Sequence, residues 1–321
     1  MKLTRRSVIA GAAALPFAPS LAQAQNWPSG PIRFIVPFPP GGSTDALARL
    51  VQTGLQQRLG ANIIIENKPG ASGAAGTAVF AKSPPDGNTW LFVFDTHSVN
   101  PYLMNLQYDT EKDLDPVMLV ATAPYLLAVN TKHDFKTLAD VVAAAKAKPD
   151  GLSYASVGSG SIGHLFMVLL QKKAGVKLTH VPYRGGAPAI ADVAAGNVDL
   201  FFANVSEIMG MARGGKVRVL ALASSRPTAL APELPLLTKD IPALDINNWF
   251  GLVGPAGLPA DIKDSLAKLF LAAMSDPANK ETLDKQGLVA LGQGPDAFAA
   301  YIKQDRERWA KVVKQGNIKA E

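Results

Sequence analysis

Glycine-rich loops in the first third of the chain carry the residues best suited to bind a small anion. The first loop, PFPPGGSTD at residues 37–45, lies between an apolar run and a helical pattern. Such a loop directs unpaired backbone N–H groups at the start of a helix, where the macrodipole also favours negative charge. We therefore predict that this loop binds a carboxylate through Phe38, Gly42, Ser43 and Thr44.

Two structural roles compete with ligand binding in the first loop. Ser43 or Thr44 is expected to be the N-cap of the helix, and capping alone could explain both residues. Asp45 falls in the first helical turn, where the dipole stabilises an acid whatever its function. Because a bare carboxylate would repel a bound anion, we expect Asp45 to order the loop or to meet an ammonium or hydroxyl group of the ligand.

A second loop, KPGASGAAG at residues 68–76, offers the same kind of cradle through Ser72, Gly73 and Ala74. It is not a phosphate-binding P-loop, because no Gly-Lys-Ser/Thr follows the glycines. Two cradles of this kind suit a dicarboxylate, or one carboxylate together with a water molecule.

The segment GSGSIG at residues 158–163 matches the G-x-G-x-x-G pattern of dinucleotide-binding proteins, after a predicted strand and before a predicted helix. About twenty residues on, where NAD-binding proteins carry an acid, stand Tyr183 and Arg184. An arginine there could meet the extra phosphate of NADP, so an exported NADP-dependent oxidoreductase is the alternative function. Against it, the segment lies in the middle of the chain, and no clear hydride-transfer constellation accompanies it.

Polar residues follow several other predicted strands, and ligands of open α/β sheets bind outside the carboxyl ends of strands. His97 and Arg184 could each recognise an acid, but a hydrogen-bonded histidine and a solvated loop arginine are the plainer interpretations. The predicted strand-end contributors to a ligand site are Thr96, His97, Ser156, Ser159, Ser161, Tyr183, Arg184 and Asn204.

The sequence lacks the residues that several other kinds of chemistry require. The chain has no cysteine, which excludes disulfides, thiolate metal sites and a cysteine nucleophile. It has no G-x-S-x-G elbow, and its four histidines show no H-E-x-x-H spacing. We therefore expect no catalytic residues, no metal and no cofactor.

The chain alternates predicted strands and helices, which is typical of the α/β class. About three hundred residues exceed a comfortable single core, so two lobes are expected. We place lobe 1 at residues 25–124 and 230–321, and lobe 2 at residues 125–229, with hinges near 120–129 and between 222 and 249. In the last helix, a stripe of Phe298, Ile302 and Trp309 is expected to be core.

The first 24 residues have the features of an export signal. Lys2, Arg5 and Arg6 precede an apolar stretch, and Ala22-Gln23-Ala24 is a small-x-small cleavage site. We predict cleavage after Ala24 and a periplasmic location. The run TRRSVI resembles a twin-arginine signal, but Val8 stands where phenylalanine is usual, so either export route fits.

The charge of the chain indicates little about its partner. Removing the predicted signal peptide lowers the net charge from +6 to +3. The remaining Lys and Arg are scattered rather than clustered, so we expect no nucleic-acid partner.

Taken together, several motifs resemble the substrate-binding proteins of tripartite tricarboxylate transporters, also called Bug proteins. The resemblance covers nearly the whole mature chain. It rests on residues 37–45, 66–76, 84–87 (PPDG), 181–185 (VPYRG) and 196–199 (GNVD).

The resemblance implies a two-lobed periplasmic binding protein of type II-like fold, each lobe a mixed sheet flanked by helices. It also implies a small carboxylate ligand, a membrane permease partner and, we expect, a monomer. The first two loops would hold one carboxylate through backbone groups and waters, and the other lobe would select the rest of the ligand. His97, where the family often has a smaller or hydroxyl residue, could favour a second acid group or an aromatic ring.

Overall fold

The structure is a computed structural model that describes residues 27–224, 227, 230–237, 246–316 and 318. The predicted signal peptide lies outside the described residues. Within the described part of the chain, no helix is both long and apolar enough to cross a bilayer.

Strands and helices alternate along most of the chain, as predicted. The strands are β1 (Ile32–Val36), β2 (Ile63–Asn67), β3 (Thr89–Phe94), β4 (Leu114–Asn130), β5 (Ser153–Ser156), β6 (Thr179–Pro182), β7 (Leu200–Asn204), β8 (Val217–Ala223), β9 (Asn247–Pro255) and β10 (Val289–Gln293). The helices are α1 (Ser43–Leu59), α2 (Ala74–Phe80), α3 (Thr96–Leu103), α4 (Leu138–Ala147), α5 (Ile162–Ala174), α6 (Gly186–Ala195), α7 (Val205–Arg213), α8 (Ala260–Met274), α9 (Pro277–Gln286) and α10 (Pro295–Gly316), with a 3-10 turn at Ala71–Gly73.

The long strand β4 connects two groups of strands. Its first part, Leu114–Pro124, pairs with β9, which continues through β3 and β1 to β2. Its second part, Tyr125–Asn130, pairs with β7 and β8, and β7 leads through β5 to β6. We call these groups the first and second sheet halves. Both mix parallel and antiparallel pairs, so the predicted α/β class with mixed sheets is confirmed.

Helices cover both sheet halves and enclose apolar cores. The first half buries Phe34, Phe92 and Phe270 under α1 and α8, where the three rings pack edge-on or tilted against one another. The predicted core stripe of α10 is confirmed: its three members are buried, at 0–7% exposure, against the sheet. The assignment of which segments move together as lobes stays a prediction.

The sequence-based element predictions were wrong in places where tertiary contacts dominate. The sequence shows only a polar run at residues 95–98 and no helix was predicted there, but in the structure Thr96 begins α3, whose Val99 is completely buried. The segment 120–129, expected to connect the lobes, lies in β4 where the pairing changes from β9 to β7 and β8, and its role as a hinge stays a prediction. Helices α7 and α9 and strand β10 were not predicted. By contrast, the sequence predicts a strand over Val217–Ala223, and β8 has the same bounds.

The sequence places Thr137 three residues before Asp140, which predicts a capping box; the structure confirms it at the start of α4, and it gives a first testable prediction. The Thr137 hydroxyl accepts a hydrogen bond from the Asp140 backbone N–H at 3.2 Å, and the Asp140 side chain accepts from the Thr137 backbone at 2.8 Å. Thr137→Ala should lower the free energy of unfolding by about 1 kcal/mol, because one N–H loses its partner. Urea denaturation measures this loss, and an unchanged midpoint would contradict the prediction.

Candidate functional site

Three glycine loops meet where the two sheet halves face each other, and we call this interface the cleft. The loop at 37–42 precedes α1, the loop at 68–73 precedes α2, and the loop at 157–161 precedes α5. The Ser72 hydroxyl, in the second of these loops, donates to the Ser159 carbonyl at 2.8 Å. The Asn204 amide donates across the cleft to the Ser43 hydroxyl at 3.1 Å. The halves are therefore closed against each other.

The start of α1 corrects the predicted N-cap and shows which partners Asp45 has. Gly42, not Ser43 or Thr44, is the N-cap, and it offers no side-chain acceptor to the first N–H groups of the helix. Asp45 accepts hydrogen bonds from the Gly41 N–H, from Arg49 and from Asn67, all at 2.9 Å. Burial pushes the pKa of Asp45 upward, but these hydrogen bonds outweigh it and leave the pKa lowered. Asp45 therefore orders the loop.

The second loop is held in an unusual backbone conformation. Ala71, Ser72 and Gly73 have φ angles of +47°, +52° and +88°, and such angles cost about 1–3 kcal/mol at a residue other than glycine. Asn100, in α3, donates to the Ser72 carbonyl at 3.1 Å and helps to fix this conformation. Strain that the surrounding structure maintains is typical of binding sites.

Two small cavities remain in the closed cleft, each of about 10 Å³, which is room for roughly one water molecule. The α1 cavity is lined by Phe38, Gly42, Ser43, Thr44, Phe94, Val157, Gly186 and Glu207. The α2 cavity is lined by Pro37, Phe38, Ser72, Gly73, Thr77, Val93, Phe94, Thr96, His97, Asn100 and Tyr108. Among the described residues that line them there is no Lys or Arg, so an anion there would depend on N–H groups and hydroxyls.

His97 lies in the wall of the α2 cavity and is 5% exposed. Burial, together with the nearby charge of Arg306, lowers the pKa of His97 to about 4. The side chain is therefore neutral at neutral pH. It could recognise a second acid group of a ligand through a hydrogen bond, but not through a positive charge.

Several predicted site residues have protein partners instead of lining the two cavities. Ser156 bonds to His180 at 2.7 Å, and the Ser161 hydroxyl caps α5 through the His164 N–H. Tyr183 donates to Asp192 at 2.6 Å, and the Arg184 side chain is exposed. Ala74 lines a separate outer groove beside α2.

Glu207 is the most informative residue that the sequence prediction missed. It lies in the first turn of α7, and its Oε1 atom accepts from the Ser43 hydroxyl at 3.0 Å, across the cleft. Burial raises the pKa of Glu207 to about 7, against hydrogen bonds from Ser43 and Asn204 that act to lower it. An acid in the first turn of a helix was the signal that pointed to Asp45, but α7 itself was not predicted from the sequence, so Glu207 was not recognised.

Comparison with known proteins identifies the family of the chain. The sequence pattern described as "Tripartite tricarboxylate transporter family receptor" matches residues 47–318. The chain belongs to this family. It is 33% identical over 300 residues to Protein BugT of Bordetella pertussis strain Tohama I, and the alignment covers 92% of each chain.

Solved structures of similar proteins share the fold. The periplasmic binding protein BugD gives a TM-score of 0.87 at 29% identity, covering 92% of this chain and 100% of BugD. Rpa4515 of R. palustris with adipate gives 0.87 at 30% identity, covering 91% and 99%. MatC from Rhodopseudomonas palustris, with bound malate, gives 0.83 at 28% identity, covering 89% and 99%. These likenesses support the predicted binding protein and not the oxidoreductase alternative.

The G-x-G-x-x-G segment has a different role in this transporter receptor from the one the motif alone suggests. Gly158 has a φ of +133°, and a Cβ atom added there would lie 2.3 Å from the Ser72 hydroxyl. The Gly160 N–H donates to His164 Nδ1 at 3.0 Å. The glycines therefore allow this loop to approach the facing loop of the other sheet half.

The hydrogen bond between Ser72 and Ser159 gives a prediction for ligand binding by the receptor. Ser72→Ala removes the hydroxyl that donates to the Ser159 carbonyl in the closed cleft. Losing this hydrogen bond should destabilise the closed form by about 1 kcal/mol. Affinity for a ligand that requires closure should fall about fivefold, as measured by calorimetric titration. Ser83→Ala, outside the cleft, should leave affinity unchanged, and equal affinities for both variants would contradict the prediction.

Proposed function

We propose that the chain captures a small carboxylate between its two lobes in the periplasm and delivers it to the permease of a tripartite carrier. The observation that carries the proposal is the cleft itself. Backbone N–H groups and hydroxyls of two glycine loops converge on small cavities, closed by a third loop and walled by Phe38 and Phe94. This arrangement suits an anion held by helix N-termini rather than by a cation.

The relatives support the same class of ligand. Adipate and malate, which accompany two of the similar structures, are both small dicarboxylates. Two neighbouring cradles beside an apolar wall would suit one acid group of such a molecule. Under this proposal Gly42, Ser43, Thr44, Ser72 and Gly73 bind the shared carboxylate.

The remaining predicted residues belong to the proposal as tuning residues. Thr96 and His97 line the α2 cavity and are placed to contact the far end of a ligand. A wider, open cleft would also bring second-half residues into reach of the ligand, which are Ser156, Ser159, Ser161, Tyr183, Arg184 and Asn204. Phe38 lines both cavities, and Ala74 and Asp45 would support the loops from behind.

The proposal includes export, cleavage and assembly. We infer that residues 1–24 direct export and are removed after Ala24, that the mature chain is a monomer, and that it has no catalytic step. Mass spectrometry of the protein from a periplasmic extract tests the cleavage, because a mature chain beginning at Gln25 has a defined mass. A full-length mass in that extract would overturn this part.

A thermal-shift screen of residues 25–321 tests the ligand class. The panel should contain mono-, di- and tricarboxylates including adipate and malate, amino acids, aromatic acids and NADP. A ligand at a hundredfold over its Kd adds about 2.7 kcal/mol, which at about 2–4 °C per kcal/mol is a shift of several degrees. A shift with a carboxylate supports the proposal. A shift with NADP alone would overturn it.

A further inference from the structure

The carboxyl group of Glu207 occupies the helix terminus that the proposed function assigns to the ligand. Its Oε1 atom lies 3.0 Å from the Ser43 hydroxyl, and the Ser43 backbone also hydrogen-bonds to this group. Because Gly42 supplies no side-chain acceptor, the first N–H groups of α1 need an acceptor from elsewhere. An anion at this position is stabilised by the helix dipole.

A second helix start also lies against the same carboxyl group. Gly186 is the first residue of α6, and a Cβ atom added there would lie 2.1 Å from Glu207 Oε1. The absence of a side chain at this glycine is what leaves space for the carboxyl group. Glu207 is thus seated between the starts of α1 and α6, which belong to opposite sheet halves.

Only part of the hydrogen-bonding capacity of the Glu207 carboxyl group is satisfied. Its Oε2 atom is buried and has no hydrogen-bond partner among the described residues. It shares the α1 cavity with the apolar side chains of Phe38, Phe94 and Val157. A buried carboxyl oxygen without a donor carries a desolvation cost, so this contact is replaceable by a ligand that fills the cavity better.

We propose that Glu207 is an internal competitor of the ligand, an inference that rests on the proposed function. In the ligand-free protein its carboxyl group occupies the α1 terminus and ties the sheet halves together through Ser43. The ligand carboxylate takes its place, and Glu207 therefore sets which acids bind and how tightly.

Spin-label distances in the ligand-free protein test the tie directly. Since the chain has no cysteine, Gln57→Cys in α1 and Lys172→Cys in α5 place labels at exposed positions on opposite sheet halves. With Glu207 present we expect a narrow, short distance distribution. Glu207→Ala should lengthen and broaden it, and Glu207→Gln, which keeps shape without charge, should lie between. Glu281→Ala, which removes an exposed acid from α9, is the matched control.

Titration of the same variants with adipate and malate tests the competition. Losing a hydrogen bond to a charged group corresponds to roughly ten- to a hundredfold in affinity, so Glu207→Ala should bind either acid at least tenfold more tightly. Weaker binding would overturn the inference, because Glu207 would then contact the ligand. Unchanged label distances in ligand-free Glu207→Ala would also overturn it. If neither acid binds any variant, the proposed function fails for these probes. The label distances still show whether the contact of Glu207 with Ser43 holds the sheet halves together.

Discussion

Gly185→Val should abolish ligand binding while leaving the protein folded. Gly185 precedes α6 in the second sheet half, and a Cβ atom added there would lie 2.5 Å from the Pro39 ring of the facing loop. A proline ring cannot rotate out of the way, so a branched side chain would hold the halves apart. We expect affinity to fall at least a hundredfold, because ligand contacts from one half would be lost.

The backbone at Gly185 makes this a clean test. Its φ of 165° is extended backbone that any residue adopts, so the substitution adds no backbone strain within the second sheet half. Gly30→Val is the control, since a Cβ atom there has no neighbour within 4 Å. Calorimetric titration with the carboxylate found in the thermal-shift screen measures the loss. Binding by Gly185→Val within fivefold of the wild-type value would show that closure at this point is not required.

The sequence predicted those parts of the fold that local chemistry determines. Thr137 and Asp140 lie three residues apart, and their capping box needs no distant partner. The bounds of β8 follow from a largely apolar run, interrupted only by Arg218, between Lys216 and Ser224. In contrast, β4 contains Pro116 and Pro124, which argue against a strand, and only pairing with β9 and β7 reveals it.

The candidate site was predictable at its loops but not across the cleft. Gly42, Ser43, Ser72 and Gly73, which line the two cavities, could be proposed from the sequence because a glycine loop at a helix start is a local pattern. The contact of Glu207 with Ser43 joins residues 164 positions apart, and no spacing in the sequence indicates it. Ser161 was predicted to contact the ligand because it lies in a glycine loop after a strand. In the structure its hydroxyl caps α5.

Asp199→Ala should produce a large loss of stability, at a site remote from the cleft. The Asp199 carboxylate accepts from the Ser153 N–H at 2.7 Å and from the Ser153 hydroxyl at 2.8 Å. It also pairs with Lys132 and with His133, each at 2.8 Å. Only 12% of the side chain is exposed. Removal leaves the Ser153 N–H without its acceptor and takes one partner from both Lys132 and His133, and we expect a loss of about 3 kcal/mol.

The pH dependence of this loss of stability distinguishes the contribution of the charged Asp199 carboxylate from that of side-chain packing. Burial acts to raise the pKa of Asp199, but hydrogen bonds from Lys132, His133 and Ser153 outweigh it and lower the pKa. A lowered pKa contributes stability above the unfolded value of about 4 that is lost as pH falls below it. The gap between wild type and Asp199→Ala in urea denaturation should therefore narrow below about pH 4.

Asp134→Ala provides the comparison for that experiment. Asp134 is a nearby acid, 85% exposed, whose contacts with Lys136 and Arg218 are 4.0 and 3.9 Å long. Such surface pairs contribute at most about 1 kcal/mol, so this variant should unfold close to wild type at every pH. If Asp199→Ala keeps its full deficit in acid, packing rather than the charged carboxylate holds β5 to β7. If the deficit narrows as expected, a single anion fixes the strand that leads into the α5 loop of the cleft.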